Sequence, residues 1–305
     1  MAFSPGNVAF GRHESFPLRF AWIAKGLNAV RADPDIFTRE DATVVLGVGK
    51  NMVSSIRHWL HAATLVRQRP DGHGYEETEL ARTAFGSDGD SYLEDDGTIW
   101  LLHWLLATNP AAATAVYWFF NHFHRPVFAN DEAAAGLRAF IDTEAATRTS
   151  PTTLNRDATT LLRMYTRTAA GTRLALEDAL DSPLSLLDLV DRVDAHHRRS
   201  VPAARPGLPS EIFAFAVAEV FDHLAAPHVA VQHLMYSDRT HCAPGAVFRM
   251  TEESLVHKIE ELHRTAPGHF RLDRTAGVYQ LYRLRRTEPL HILDERFHRR
   301  GRTAA

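Results

Sequence analysis

Gly47-Val48-Gly49 interrupts a run of helical periodicity that resumes directly on its far side. Before it, Thr38 with Asp41 three positions on reads as an acidic capping box, and Ala42, Val45 and Leu46 recur on one face. After it, from Lys50, the residues Met52, Val53, Ile56, Trp59, Leu60 and Ala63 share an apolar face. Asn51, Ser54, Ser55, Arg57, His58 and His61 fall opposite. Leu65-Val66-Arg67, the turn Pro70-Asp71-Gly72-His73-Gly74 and Tyr75-Glu76-Glu77-Thr78 then read as a hairpin. Helix, tight turn, helix, hairpin is the order of a winged helix-turn-helix, whose second helix enters the major groove. The expected DNA-contacting residues are therefore Lys50, Asn51, Ser54, Ser55, Arg57, His58 and Arg67. A plain helical hairpin with a glycine turn and a polar outer face fits the same pattern.

The 305 residues suit about two domains of ordinary size, and an apolar content of 45% supports a core without disulfides. Cys242 is the single cysteine, which excludes an intramolecular disulfide and any multi-cysteine zinc site. No uncharged apolar run reaches membrane-spanning length, and the N-terminus lacks a signal-peptide pattern, so no membrane partner and a cytoplasmic location are expected. A net charge of −3 argues against a protein that coats nucleic acid generically. The charge is uneven, however: residues 47–69 hold Lys50, Arg57, Arg67 and Arg69 with no acid, and residues 263–305 are arginine-rich. Such a chain presents basic faces to phosphate while staying soluble. A solvated arginine-rich end is the alternative.

Along the rest of the chain, Pro17 suits a first helical turn, with Phe20, Ile23, Ala24 and Leu27 following at helical spacing. Residues 98–106 form a helix apolar nearly all round, hence buried, and residues 116–123 form an aromatic-rich one, read as core before base-stacking platform. Further helices are expected over 132–146, 153–168, 178–193 and 211–224, with a linker at 196–207. A helix from Thr251 and a hairpin over 270–282 suggest a second winged-helix-like module at the C-terminus. The expected fold is mainly α with small β-hairpins. It divides into an N-terminal winged helix-turn-helix (1–90), a central helical bundle (91–200) and a C-terminal helical, winged-helix-like part (207–305).

Three stretches carry a resemblance. They are Gly11-Arg12-His13-Glu14-Ser15-Phe16-Pro17-Leu18-Arg19, then Arg39-Glu40-Asp41-Ala42 with Leu46-Gly47-Val48-Gly49-Lys50-Asn51-Met52-Val53, and Tyr92-Leu93-Glu94-Asp95 with Trp100-Leu101-Leu102-His103-Trp104. In order and content they resemble the SspB-like family of bacterial DNA phosphorothioation systems, formerly a domain of unknown function. The resemblance covers most of the chain and is strongest over residues 10–125. It implies double-stranded DNA as substrate and a nicking endonuclease that opens one strand for sulfur incorporation in an antiphage system. It also implies a cysteine desulfurase, an ATP-pyrophosphatase-like protein and an ATPase as partners. A non-catalytic recruiter of those proteins and a winged-helix transcription regulator are the alternatives.

Strand nicking needs an activated nucleophile, charge stabilisation at phosphorus and a proton for the leaving oxygen. No decisive nuclease motif stands in the sequence. His13, Glu14 and Arg19 are the leading catalytic candidates: an imidazole to move a proton, a carboxylate to orient it and a guanidinium to hold phosphate. His13 and Glu14 as a helix entry is the competing reading. Glu94-Asp95-Asp96 offers carboxylates but reads better as the acidic start of a helix. Asp157 with Arg156 and Arg163, and His196-His197, are weaker candidates. Any metal would be Mg2+ or Mn2+, with no ligand set legible.

Overall fold

The computed structural model describes residues 2–168, 182–265, 268–275, 278–286 and 288–304. They form a mainly helical protein with small antiparallel sheets. The first unit comprises α1 (Phe20–Ala32), α2 (Ala42–Leu46), α3 (Lys50–Ala62), β1 (Val66–Gln68) and β2 (Tyr75–Glu77). Gly47 closes α2 with φ +60°, a conformation that costs glycine little, and Gly49 caps α3. Gly26 lets α1 and α3 approach closely, since a Cβ there would lie 2.5 Å from Leu60 and 2.7 Å from Ile56. The hairpin pairs Val66 with Glu77 and Gln68 with Tyr75. Tyr75 also donates its N–H to the Pro34 carbonyl at 2.8 Å, so the link between α1 and α2 runs beside β2.

Three local expectations are corrected here. Pro17 does not open a helix: α1 starts at Phe20, and residues 11–15 instead turn tightly, with φ of +70°, +49° and +66° at Gly11, Glu14 and Ser15. Thr38 ends a 3-10 turn and gives its hydroxyl to the Asp35 carbonyl, so Asp41 stands at the start of α2. Val45, expected inward, is 56% exposed beside Val44, and only Ala42 and Leu46 bury.

After α4 (Glu79–Phe85) and α5 (Asp96–Ala107), buried from Gly97 onward, a second unit runs α6 (Thr114–His122), β3 (Val127–Ala129), α7 (Asn130–Glu144), α8 (Pro151–Tyr165), β4 (Asp191–Arg192) and β5 (His197–Arg199). The aromatic face of α6 is core, as its spacing suggests. Residues 196–207 are not a free linker, because His197–Arg199 pairs antiparallel with both β3 and β4. The helix expected over 178–193 falls partly outside the described residues; its described part is a 3-10 turn, Pro183–Leu187, followed by β4.

A third unit runs α9 (Ser210–Leu224), β6 (His228–Ala230), α10 (Val231–Met235), the short α11 (Pro244–Val247), α12 (Glu252–Thr265), β7 (Phe270–Thr275) and β8 (Val278–Arg283). Helix α13 (Pro289–Ala304) follows. The second and third units share one plan: helix, strand, helices, two strands, with sheet orders β3-β5-β4 and β6-β8-β7. In each, the first strand pairs with the third. In the first unit a single backbone bond, Tyr75 N–H to the Pro34 carbonyl, stands in the place of that pairing.

One cluster of buried apolar side chains extends from Leu18 to Phe297. Within it, His103 bridges the Tyr165 hydroxyl and the Val247 carbonyl, each at 2.8 Å. Arg249 donates to the carbonyls of Phe119 and Phe123 at the end of α6, with its guanidinium over the Phe119 and Phe120 rings. Asp95, the cap of α5, holds Arg296 of α13 at 2.6 Å, so the acids before α5 serve a helix start. Among the described residues no helix is long and apolar enough to cross a membrane.

Candidate nucleic-acid interface

Helix α3 has a buried side made by Val53, Ser55, Ile56, Trp59, Leu60 and Ala62. Its outer stripe is Lys50, Ser54, Arg57 and His61, at intervals of four, three and four, with Asn51 exposed beside it. The helix holds no acid, and neither Lys50 nor Arg57 enters an ion pair among the described residues. Glycine at the cap leaves the first N–H groups of α3 without a side-chain partner, which adds positive potential at the end where Lys50 and Asn51 stand.

Not every expected contact lies on that face. Ser55 is fully buried and its hydroxyl donates to the His13 carbonyl at 2.9 Å, which corrects its assignment to DNA. His58 turns toward the loop, its ring 4.8 Å from that of Trp59 and 6.0 Å from that of His13. Burial, together with the neighbouring His13, His61, Arg12 and Arg57, pulls its pKa down to about 3, so it is a neutral ring at physiological pH. Arg67, on β1, is exposed but paired across the hairpin with Glu76 at 2.7 Å.

The loop before α1 explains why α3 is oriented as it is. Its His13 is 6% exposed and lies flat against Trp59, with ring planes 9° apart. Trp59 in turn donates to the Phe16 carbonyl at 3.0 Å. On the other side, Asp157 of α8, 3% exposed, accepts the Gly11 N–H on both oxygens (3.1 and 3.0 Å) and the His13 Nε2–H at 3.1 Å. The Ser15 N–H donates to His13 Nδ1 at 3.1 Å, which fixes the proton on Nε2. Gly11 packs so closely on α8 that a Cβ would lie 3.2 Å from Thr153. One loop thus ties α3 to α8.

The three catalytic candidates are therefore not gathered. His13 has both ring nitrogens committed, Glu14 is exposed at positive φ, and Arg19 stands over the Phe16 and Trp22 rings. Neither His13 nor Glu14 caps α1, whose cap position is Arg19. A crevice of about 20 Å3, room for one water, lies among Arg12, His13, His58, Asp157 and Thr160. Among the described residues no three His, Cys, Asp or Glu side chains converge as a metal site. The weight that Asp157 carries was missed because its partners lie far back in the chain, Gly11 being 146 positions away. The available signal was a carboxylate on the same helical face as Leu154, Ala158 and Leu161, which requires a buried partner.

Residues 10–297 match a family described as a protein of unknown function, DUF4007. Two solved structures are similar to this chain: a magnesium ion-bound SspB crystal structure (TM-score 0.85) and an SspB crystal structure (TM-score 0.83). Each is 27% identical over 95% of this chain and 88% of that one. No curated protein matches the chain.

Proposed function

The chain belongs to the SspB-like DUF4007 family, and from that premise we propose that it is the DNA-engaging component of a bacterial DNA phosphorothioation system. In this reading the first unit is a winged helix, α3 is its recognition helix, and β1–β2 is its wing. The observation that carries it is the acid-free outer stripe of α3, where Lys50 and Arg57 form no ion pair among the described residues and Asn51 and Ser54 offer short polar groups for base edges. Cysteine desulfurase, ATP-pyrophosphatase-like and ATPase proteins are the partners to which it brings DNA. Purified protein is expected to bind duplex in a salt-dependent way, and Lys50→Ala with Arg57→Ala to weaken that binding while leaving the fold intact. Unchanged affinity in the double variant excludes α3 as the contact.

Nicking of one strand is the second reading. The magnesium ion held by one of the solved SspB structures favours it, since strand scission commonly uses such an ion. The loop residues of this chain do not fit a metal: both Asp157 oxygens already accept Gly11 N–H, His13 fills Oδ1 as well, and Glu14 points to solvent. No cleavage step is assigned to them. Supercoiled plasmid incubated with the protein and Mg2+ or Mn2+ separates the readings. Open-circular product establishes the nickase, and a gel-shifted plasmid that stays supercoiled establishes the recruiter.

A further inference from the structure

The plan shared by the three units places α8 in the second where α3 stands in the first, and α12 in the third. We propose that α8 is a second DNA-contacting helix, seating the phosphate backbone of the same duplex. The inference rests on the winged-helix reading of α3 and extends it to a part of the chain that sequence periodicity treated as a plain bundle.

Four observations converge on α8. Its buried side is complete, with Leu154, Ala158, Leu161 and Tyr165 in the core. Its outer stripe is Thr152, Arg156, Thr159 and Arg163, at intervals of four, three and four, the same spacing as the α3 stripe. Its one acid, Asp157, is turned inward onto Gly11 and His13, so the exposed face carries no acid. Neither Arg156 nor Arg163 enters an ion pair among the described residues.

The hairpin of the second unit adds to this surface. The β4–β5 hairpin exposes Arg192 at the end of β4 and Asp194 and His196 at its tip. Asp194 shapes the turn by accepting the N–H groups of His196 and His197, at 2.7 and 2.8 Å. In each of the two hairpins one arginine is paired with an acid, Arg67 with Glu76 in the first unit and Arg199 with Asp191 in the second. A cationic helix followed by a hairpin, in the topology that presents both to DNA, points to a phosphate ligand.

The third unit shows that the plan alone does not produce this charge. The corresponding α12 carries Glu252, Glu253, Glu260 and Glu261, which repel a duplex. Two of the three units are thus electrostatically fit for DNA, and they are the two whose recognition helices grip the same loop through Ser55, Trp59 and Asp157.

The test compares Arg156→Ala/Arg163→Ala with Lys50→Ala/Arg57→Ala and the wild type, using fluorescence anisotropy on duplexes of differing sequence across a salt series. Loss of two phosphate contacts is expected to make the log–log salt slope shallower by about 2 and to raise Kd up to about 60-fold at 0.1 M salt, equally for every sequence. Arg156→Lys/Arg163→Lys is expected to keep the slope, because phosphate accepts a point charge. An α8 double alanine variant with wild-type Kd and slope, beside a weakened α3 variant, overturns the second contact and leaves the first. Wild-type protein that binds no duplex overturns both. Arg156 and Arg163 are exposed and Arg57 is partly so, and an unchanged thermal melt confirms that each variant is folded.

Discussion

Replacing Asp157 with alanine is the sharpest test of how α3 is held. The carboxylate is 3% exposed and accepts from Gly11 on both oxygens and from His13 on one. Hydrogen bonds to a charged group contribute about 1.5–3 kcal/mol each, and each buried donor left unmet costs about 1–3 kcal/mol. The adjoining crevice of about 20 Å3 admits one water, which restores part of one bond. Asp157→Ala leaves two buried donors unmet and is therefore expected to cost about 2–5 kcal/mol. Asp157→Asn is expected to cost about 1–3 kcal/mol, because its carbonyl still accepts from Gly11 while its amide sets a donor against the His13 Nε2–H. Urea unfolding gives the magnitude, and amide exchange over residues 9–16 gives the location. A loss below about 1 kcal/mol with unchanged exchange in that loop refutes the reasoning.

Gly26→Val drives new atoms into Leu60 and Ile56 and is expected to cost about 1–3 kcal/mol in a thermal or urea melt, with weaker duplex binding as α3 shifts. Arg249→Lys loses the reach to two carbonyls and the guanidinium's contact with two rings, so a drop of about 1–3 kcal/mol is expected by urea unfolding. Burial pulls the pKa of both His103 and His58 down to about 3, so between pH 6.5 and that value only the unfolded imidazoles take up a proton. Stability is therefore expected to fall as pH drops below 6.5, by about 1.4 kcal/mol per pH unit for each ring, and a melting temperature flat from pH 7 to 5 contradicts this.

The sequence was most legible where the signal is local. The Gly47 turn, the buried rings of α6 and the inward face of α3 follow from spacing that a handful of neighbouring residues encode. Ser55 shows the limit: it sits on the polar half of α3 by periodicity, yet the loop at His13 covers it. The strand at His197–Arg199 was hidden because its partner, Val127–Ala129, lies far back in the chain and a run of His and Arg carries no strand pattern. Pro17 misled for another reason, since a proline that suits a helix start suits the extended entry to one as well. The repeated plan of the three units leaves no sequence repeat, because only the order of elements and their pairing is shared.

The most direct measurement is the phosphorothioate content of genomic DNA, read by mass spectrometry after nuclease digestion. It is made in cells that carry the sulfur-transfer partners with this chain intact, deleted, or altered to Lys50→Ala/Arg57→Ala. Loss of the modification on deletion, restored by the wild-type chain and not by the folded double variant, is the expected result. Unchanged phosphorothioate content in the deletion, or full restoration by the double variant, contradicts a DNA-engaging role for α3 in sulfur modification.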